Sequence, residues 1–169
     1  ISKENKEFLI SGMLNTNNIS FTKNDITKLV SDENLKLDID KILFSSKNNF
    51  KFKINKDLKV KNLTIKSDID LEDLKIKNST DLKDIFPNIK KVIIFKSQKI
   101  KLEYEKDQLN IDGKGDVFLQ NEIDKIEYKI YKKKDEVNFN TILKISKNRI
   151  ELDLLNYKKD KNSNLHLNF

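Results

Sequence analysis

Glycines, lysines and carboxylates are the residues here that could do chemistry, and each sits in a pattern that a β-strand would also produce. Gly113-Lys114-Gly115 has the start of a phosphate cradle. It lacks a third glycine, a Lys-Ser/Thr ending and a following helical pattern. Both glycines share a parity with Leu109, Ile111, Val117 and Leu119, so they read as a close backbone approach, a kink or a slot for a ligand within a strand. Asp68, Asp70 and Glu72 alternate and Asp73 follows, which would offer oxygens to a hard cation. The spacing is not that of a calcium loop and no turn glycine is present, so a solvated strand face is the reading. His166 is the only histidine and there is no cysteine, which leaves no ligand set for a transition metal and no triad. No serine has a base set to activate it. Lys132-Lys133-Lys134 reads as a charged turn tip. Expected catalytic residues, metal ligands and cofactors are therefore none, and the protein is expected not to be an enzyme.

What must position any function is a set of one-sided strands. Leu109, Ile111, Gly113, Gly115, Val117 and Leu119 fall on one face of an extended ribbon, with Asn110, Asp112, Lys114 and Asp116 on the other. Ile126, Tyr128 and Ile130 continue the alternation, as do Val137, Phe139, Thr141, Leu143 and Ile145. Phe8, Ile10, Gly12 and Leu14 form a first strand, Asn15 to Asn18 a turn cluster, and Ile19 to Phe21 a short strand. A phrase with one extra residue in its middle recurs as Leu37-Ile39-Ile42-Phe44, Leu58-Val60-Leu63-Ile65, Ile69-Leu71-Leu74-Ile76 and Ile150-Leu152-Leu155-Tyr157. The extra residue flips side-chain parity, so a bulge or tight bend must absorb it.

Two stretches break the strand pattern. Ile26, Leu29 and Val30 at helical spacing predict a short helix from Asp25 to Val30, with Thr22 or Asn24 as cap. Ser79 to Pro87 predicts a second, capped by Thr80 or Ser79, with Leu82, Ile85 and Phe86 on one face and Pro87 as the stop. Later strands are expected at 91–96, 100–105, 108–119, 122–132, 136–146, 149–158 and 165–169. Hairpin turns are expected at Asp107-Gln108, Lys132 to Asp135 and Lys147-Asn148.

Composition agrees with a thin sheet. The 169 residues make one domain the expectation. Apolar residues are 37% and charged residues 36% of the chain, as one solvated sheet face would require. The net charge of +7 invites a nucleic-acid partner, but the 34 basic residues are interleaved with 27 acidic ones, and Arg149 is the single guanidinium. A basic nucleic-acid-binding sheet is accordingly the weakest functional class. No apolar run reaches the length of a membrane helix; the longest uninterrupted one, Val92 to Phe95, is strand-sized. The chain starts at Ile1, and a piece of a longer or processed protein is expected.

The aromatic residues concentrate the question. Phe50 and Phe52 share a face with Ile54, and no segment has the length to form a covering layer. A sheet with one greasy face can fold into a sandwich, close into a barrel or curve into a trough around an apolar ligand. The fold expected is all-β: about a dozen antiparallel strands in a long curved sheet forming a trough or groove some 55 Å long at ~4.8 Å a strand, with two short helices. The lining expected is Phe50, Phe52, Ile54, Leu109, Ile111, Gly113, Gly115, Val117, Leu119, Ile126, Tyr128, Ile130, Val137, Phe139, Leu143 and Ile145.

Several stretches resemble the AsmA-like envelope proteins, chiefly the YhdP-like branch related to TamB. They are Ile85-Phe86-Pro87-Asn88-Ile89, Lys99 to Tyr104, Ile111 to Asp116, Asp124 to Tyr128, Phe139, and Leu154 to Lys159. The resemblance spans roughly Leu58 to Phe169 and rests on the order and spacing of weak motifs. It implies a periplasmic segment of a bridge-like lipid-transfer protein, anchored in the inner membrane by a helix outside this chain. Its concave apolar face would carry phospholipid acyl chains toward the outer membrane and so maintain it. The partners implied are those acyl chains, the membrane through the anchor, and further β-segments of the parent, with no nucleic acid. The rival reading is an extracellular structural or adhesion β-sandwich without lipid cargo.

Overall fold

The computed structural model describes residues 7–29, 38–78, 82–152, 155–161 and 163–168. Alternation drives its architecture. β1 (Glu7–Thr22), β2 (Ile39–Asn55), β3 (Val60–Lys77), β4 (Val92–Glu105), β5 (Gln108–Phe118), β6 (Asp124–Lys133) and β7 (Glu136–Ile145) each lie antiparallel beside the next. β8 (Ile150–Leu152) and β9 (Tyr157–Lys159) leave the sheet to pair with each other, and β10 (Leu165–Asn168) returns to β7. The result is one open antiparallel sheet of eight strands, not closed into a barrel, with a two-stranded flap. Seven spacings of ~4.8 Å make it about 34 Å wide.

That is narrower than a dozen strands, because stretches expected as separate strands are single long ones. Asn15–Asn18 is no turn. β1 runs through it with a bulge between Thr16 and Ile19, where Asn18 takes φ 51° and its N–H bonds Ser45 Oγ at 3.0 Å. β4 likewise joins the two stretches expected at 91–96 and 100–105 through a bulge at Ser97, φ 50°. The recurrent phrases do mark register shifts. β2 shifts between Ile39 and Lys41, β3 holds an extra residue between Lys61 and Thr64, and another between Leu71 and Asp73. In the last phrase Leu152 pairs directly with Tyr157, so a reversal between β8 and β9 takes the extra residues. Leu37 lies outside the described residues.

The connections differ at the two ends of the strands. At one end they are tight hairpins. Lys106 and Asp107 both have positive φ, the geometry of a two-residue turn matched to strand twist, so the turn sits one residue earlier than expected and Gln108 already pairs with Glu105. Lys134–Asp135 closes the next hairpin. At 55–59 the Asn55 carboxamide oxygen accepts from the N–H groups of Asp57 (3.1 Å) and Lys59 (2.9 Å).

At the other end the connections are long and carry the remaining structure. α1 (Lys23–Leu29) is closed by Thr22 and Asp25, whose carboxylate accepts from the Thr22 N–H and hydroxyl at 2.9 and 2.7 Å. α1 packs on β1 and β2 and buries Ile26. Val30 lies outside the described residues. The second expected helix is instead a run of turns over 82–88. One bond of helical spacing, Phe86 N–H to the Leu82 carbonyl at 2.8 Å, is made before Pro87, which has no N–H to continue. The expected caps Ser79 and Thr80 lie outside the described residues. Lys147-Asn148 is likewise not a hairpin: the chain bends there out of the sheet into β8.

Candidate functional site: an apolar sheet face open at one end

Cross-strand pairing extends the one-sidedness of each strand over the whole sheet, because residues directly opposite share a face. One row reads Gly12, Phe50, Ile65, Tyr104, Leu109, Lys132, Val137 from β1 to β7. The next reads Leu14, Asn48, Ser67, Leu102, Ile111, Ile130, Phe139. Further down come Ile69, Ile100, Gly113, Tyr128 and Thr141, and then Phe44, Leu71, Gln98 with Gly115, Ile126, Leu143 and Leu167. The opposite face carries charge in matched pairs. Lys66 meets Glu103 at 3.1 Å, Lys99 meets Asp70 at 2.7 Å, Lys125 meets Asp116, Lys144 meets Glu127, and Lys53 and Lys61 both reach Glu7 at 3.3 Å. Such exposed pairs contribute little to stability, being screened by solvent, but they commit lysines and carboxylates to one another. Lys144 and Lys53 hold the Glu127 and Glu7 carboxyls below their usual range.

The two ends of the apolar face have different surroundings. Toward the long connections, Phe86 and Ile150 cover Val117, Leu143 and Ile145, joined by Leu82, Ile85, Ile89, Leu119 and Leu152. Val117 is 0% and Ile145 1% exposed. A polar network ties the connections together beside this core. Lys159 is buried and donates to the carbonyls of Ser146, Asn148 and Asp160 at 2.9–3.0 Å. Asn148 donates to the Asp124 carboxylate at 2.7 Å, and Gln120 donates to the Arg149 carbonyl and accepts from the Asn88 N–H. Burial pushes the Asp124 carboxyl up, against the pull of Asn148, the Ser146 N–H and nearby Lys159.

Toward the hairpins nothing among the described residues covers the face. Phe139 is 66% and Phe8 61% exposed, and Ile10, Leu14, Val60 and Val137 are exposed with them. On β1 and β2 three polar side chains at mid-face bond one another. Thr16 and Ser46 hydroxyls lie 2.8 Å apart, and Asn48 donates to Ser46 Oγ at 2.8 Å and to the Leu14 carbonyl at 3.0 Å. An occupant resting on these three meets groups that are already hydrogen-bonded.

The expected lining residues divide between these ends. Phe50, Phe52, Ile54, Leu109, Ile111, Ile130, Val137 and Phe139 lie on the uncovered part, with Phe50 and Phe52 stacked at 6.1 Å between ring centroids. Ile126 and Tyr128 are intermediate, and burial pushes the Tyr128 hydroxyl up. Val117, Leu143 and Ile145 are covered by the chain itself and present little or no surface to a ligand, and Leu119, just past β5, packs against them half-buried. Gly113 and Gly115 open no slot. A Cβ at Gly113 would lie 2.2 Å from the Tyr128 ring, and one at Gly115 2.5 Å from Gln98 Nε2 and 2.8 Å from Gln98 Cα. Gly12 lies under the Phe50 ring in the same way. Residues of β1, β3 and β4 were missed as lining, among them Phe8, Ile65, Ile100 and Leu102, although the same parity marks them. The sheet's hollow of about 470 Å³ lies on the charged face, between a row that includes Asn110 and Tyr131 and one that includes Asp112 and Lys129.

No family model, no curated protein and no solved structure matches this chain.

Proposed function

We propose that this chain is a lipid-carrying segment of a cell-envelope protein, and that the uncovered half of its apolar face holds phospholipid acyl chains. The observation that carries this reading is that half itself, a multi-stranded apolar surface over which no layer folds among the described residues. Its apolar residues adjoin across neighbouring strands rather than standing singly, as scattered surface apolar residues do. The bonded Thr16, Ser46 and Asn48 side chains at its middle favour hydrocarbon over a peptide, which would bring unpaired amides. Each methylene removed from water contributes about 0.8 kcal/mol, so eight supply about 6 kcal/mol before the cost of immobilisation. The resemblance to AsmA-like proteins supports a periplasmic site of action between two membranes. The sandwich rival loses its motive, since no second sheet faces the uncovered half among the described residues. The paired charges of the other face weigh against a nucleic-acid surface.

Native mass spectrometry tests this reading. Chain purified without added lipid, then mixed with phosphatidylethanolamine/phosphatidylglycerol vesicles, is expected to carry one or more phospholipids. A folded chain that takes up no lipid, or binds DNA tightly with a steep salt dependence, would overturn it.

A further inference from the structure

β1 is the outer strand of the sheet, and its free side pairs with no other strand among the described residues. Long edge strands are normally guarded by lysine, proline, shortness or an early bulge. Over Glu7–Asn15 this one has none of these: its single charge is Glu7, and the bulge comes only after Thr16. Its composition is that of an interior strand. On the face where β2 places Lys51 and Lys53, β1 places the exposed Leu9 and Met13.

We propose that β1 pairs with β1 of a second copy of this chain, antiparallel about a two-fold axis at Ser11. In that register Phe8 meets Leu14, Leu9 meets Met13, Ile10 meets Gly12 and Ser11 meets Ser11, each apolar residue against an apolar residue or glycine. Shifting the centre by one residue spoils the match: about Ile10, Glu7 meets Met13, and about Gly12, Leu9 meets Asn15. The nine-residue ladder adds about eight to ten backbone hydrogen bonds, near the ~10 of a typical protein interface. Residues opposite one another share a face, so the apolar faces of the copies become one surface across sixteen strands. The pairing follows from β1 alone and does not depend on what the apolar face holds.

The chain has no cysteine, so a single introduced one reports the axis. At a two-fold axis the Ser11 Cα atoms would lie about 4.5–5.5 Å apart, within disulfide range. Under mild oxidation Ser11→Cys is expected to form a covalent dimer. Ser20→Cys, on the same strand beyond the bulge, is expected to form no covalent dimer. Light scattering is expected to give a dimer for the unmodified chain. Leu9→Lys with Met13→Lys sets like charges opposite one another twice and is expected to weaken the dimer at least tenfold. A chain that stays monomeric at high micromolar concentration overturns the proposal. So does a dimer in which Ser20→Cys cross-links as fast as Ser11→Cys, or one that the double lysine variant leaves intact. Circular dichroism of each variant shows that its sheet is retained; because Ser11 is exposed, the cross-linking test stands even where the double variant does not fold.

Discussion

Ile145 and Phe139 stand six residues apart on β7 and point to the same side of the sheet, yet one is 1% exposed and the other 66%. The strand and its alternation are the same. What differs is the connection at each end of the sheet: turns and a flap that fold back over the face at one end, hairpins of two to four residues at the other. An apolar face becomes core only where chain returns to cover it. Here the chain returns at one end, so stability concentrates there and surface for a partner remains at the other.

The sharpest way to break this contrast is one substitution at both places. Ile145→Asp would bury an unpaired carboxylate and is expected to cost more than about 4 kcal/mol, unfolding the chain. Phe139→Asp leaves its carboxylate in water, so the sheet is expected to stay folded within about 1 kcal/mol while lipid uptake fails. Asn138→Asp, on the charged face beside it, is the control. Urea unfolding followed by circular dichroism, with lipid uptake by mass spectrometry, reads both quantities. Similar losses of stability at Ile145 and Phe139 would show that the hairpin end is covered after all.

Next in size is Lys159, which holds three carbonyls where the connections meet. Lys159→Ala leaves them without that donor and is expected to cost about 2–3 kcal/mol by urea unfolding, whereas Lys99→Ala removes only an exposed pair with Asp70 and should cost less than about 1 kcal/mol.

The glycines grade the contrast more finely. Gly115→Ala meets Gln98 at its backbone Cα, with the Gln98 amide tied to the Lys96 and Asp116 carbonyls, and is expected to cost about 1–3 kcal/mol. Gly113→Ala meets the tip of the Tyr128 ring and should cost less. Gly12→Ala meets the Phe50 ring near the uncovered edge, where the ring can swing aside, and should cost least. A reversed order in thermal melts would count against a rigid covered end.

The smallest effect is a dependence on pH. The folded Asp124 carboxyl is raised by burial above its ordinary 3.8, so the native state holds that proton more tightly than the unfolded chain does. Its ionisation therefore opposes folding. Relative to Asp124→Asn, the parent chain should gain stability as pH falls through the raised value, the gain being complete below about 3.8. Glu7, Asp25, Asp38 and Glu127 are lowered and act oppositely, losing their contribution as pH falls, but both chains carry them and the difference removes them. A difference that is flat between pH 7 and 3.5 would show that Asp124 is not desolvated.

The sequence told most about faces and least about ends. Leu109, Ile111, Ile126, Ile130 and Phe139 fall on one surface because side chains alternate strictly along a strand. The parity-flipping phrases located bulges because an extra residue must leave the ladder somewhere. It did not reveal that Asn15–Asn18 continues a strand, since asparagine favours both turns and the left-handed conformation that a bulge uses. Nor did it separate Val117 and Ile145 from Phe139. Their coverage depends on Phe86, distant in sequence, and on Ile150, which lies beyond the bend where the chain leaves the sheet; both are brought over the face only by the path of the chain. The same holds for the Asp124, Asn148 and Lys159 network, whose members come from the start of β6, the bend before β8 and the end of β9, with no shared motif.

From β1 to β7 each strand pairs with the strand before it in the chain, with no crossover. Such a meander has a natural unit of growth, the hairpin, and inserting or deleting one changes the width by about 10 Å without rerouting any other strand. Width can thus change hairpin by hairpin, while the covered end works only as a unit, because its parts come from several connections that pack on one another. The span of the apolar face is a quantity that evolution can set in steps, much as a repeat protein sets its length by copy number.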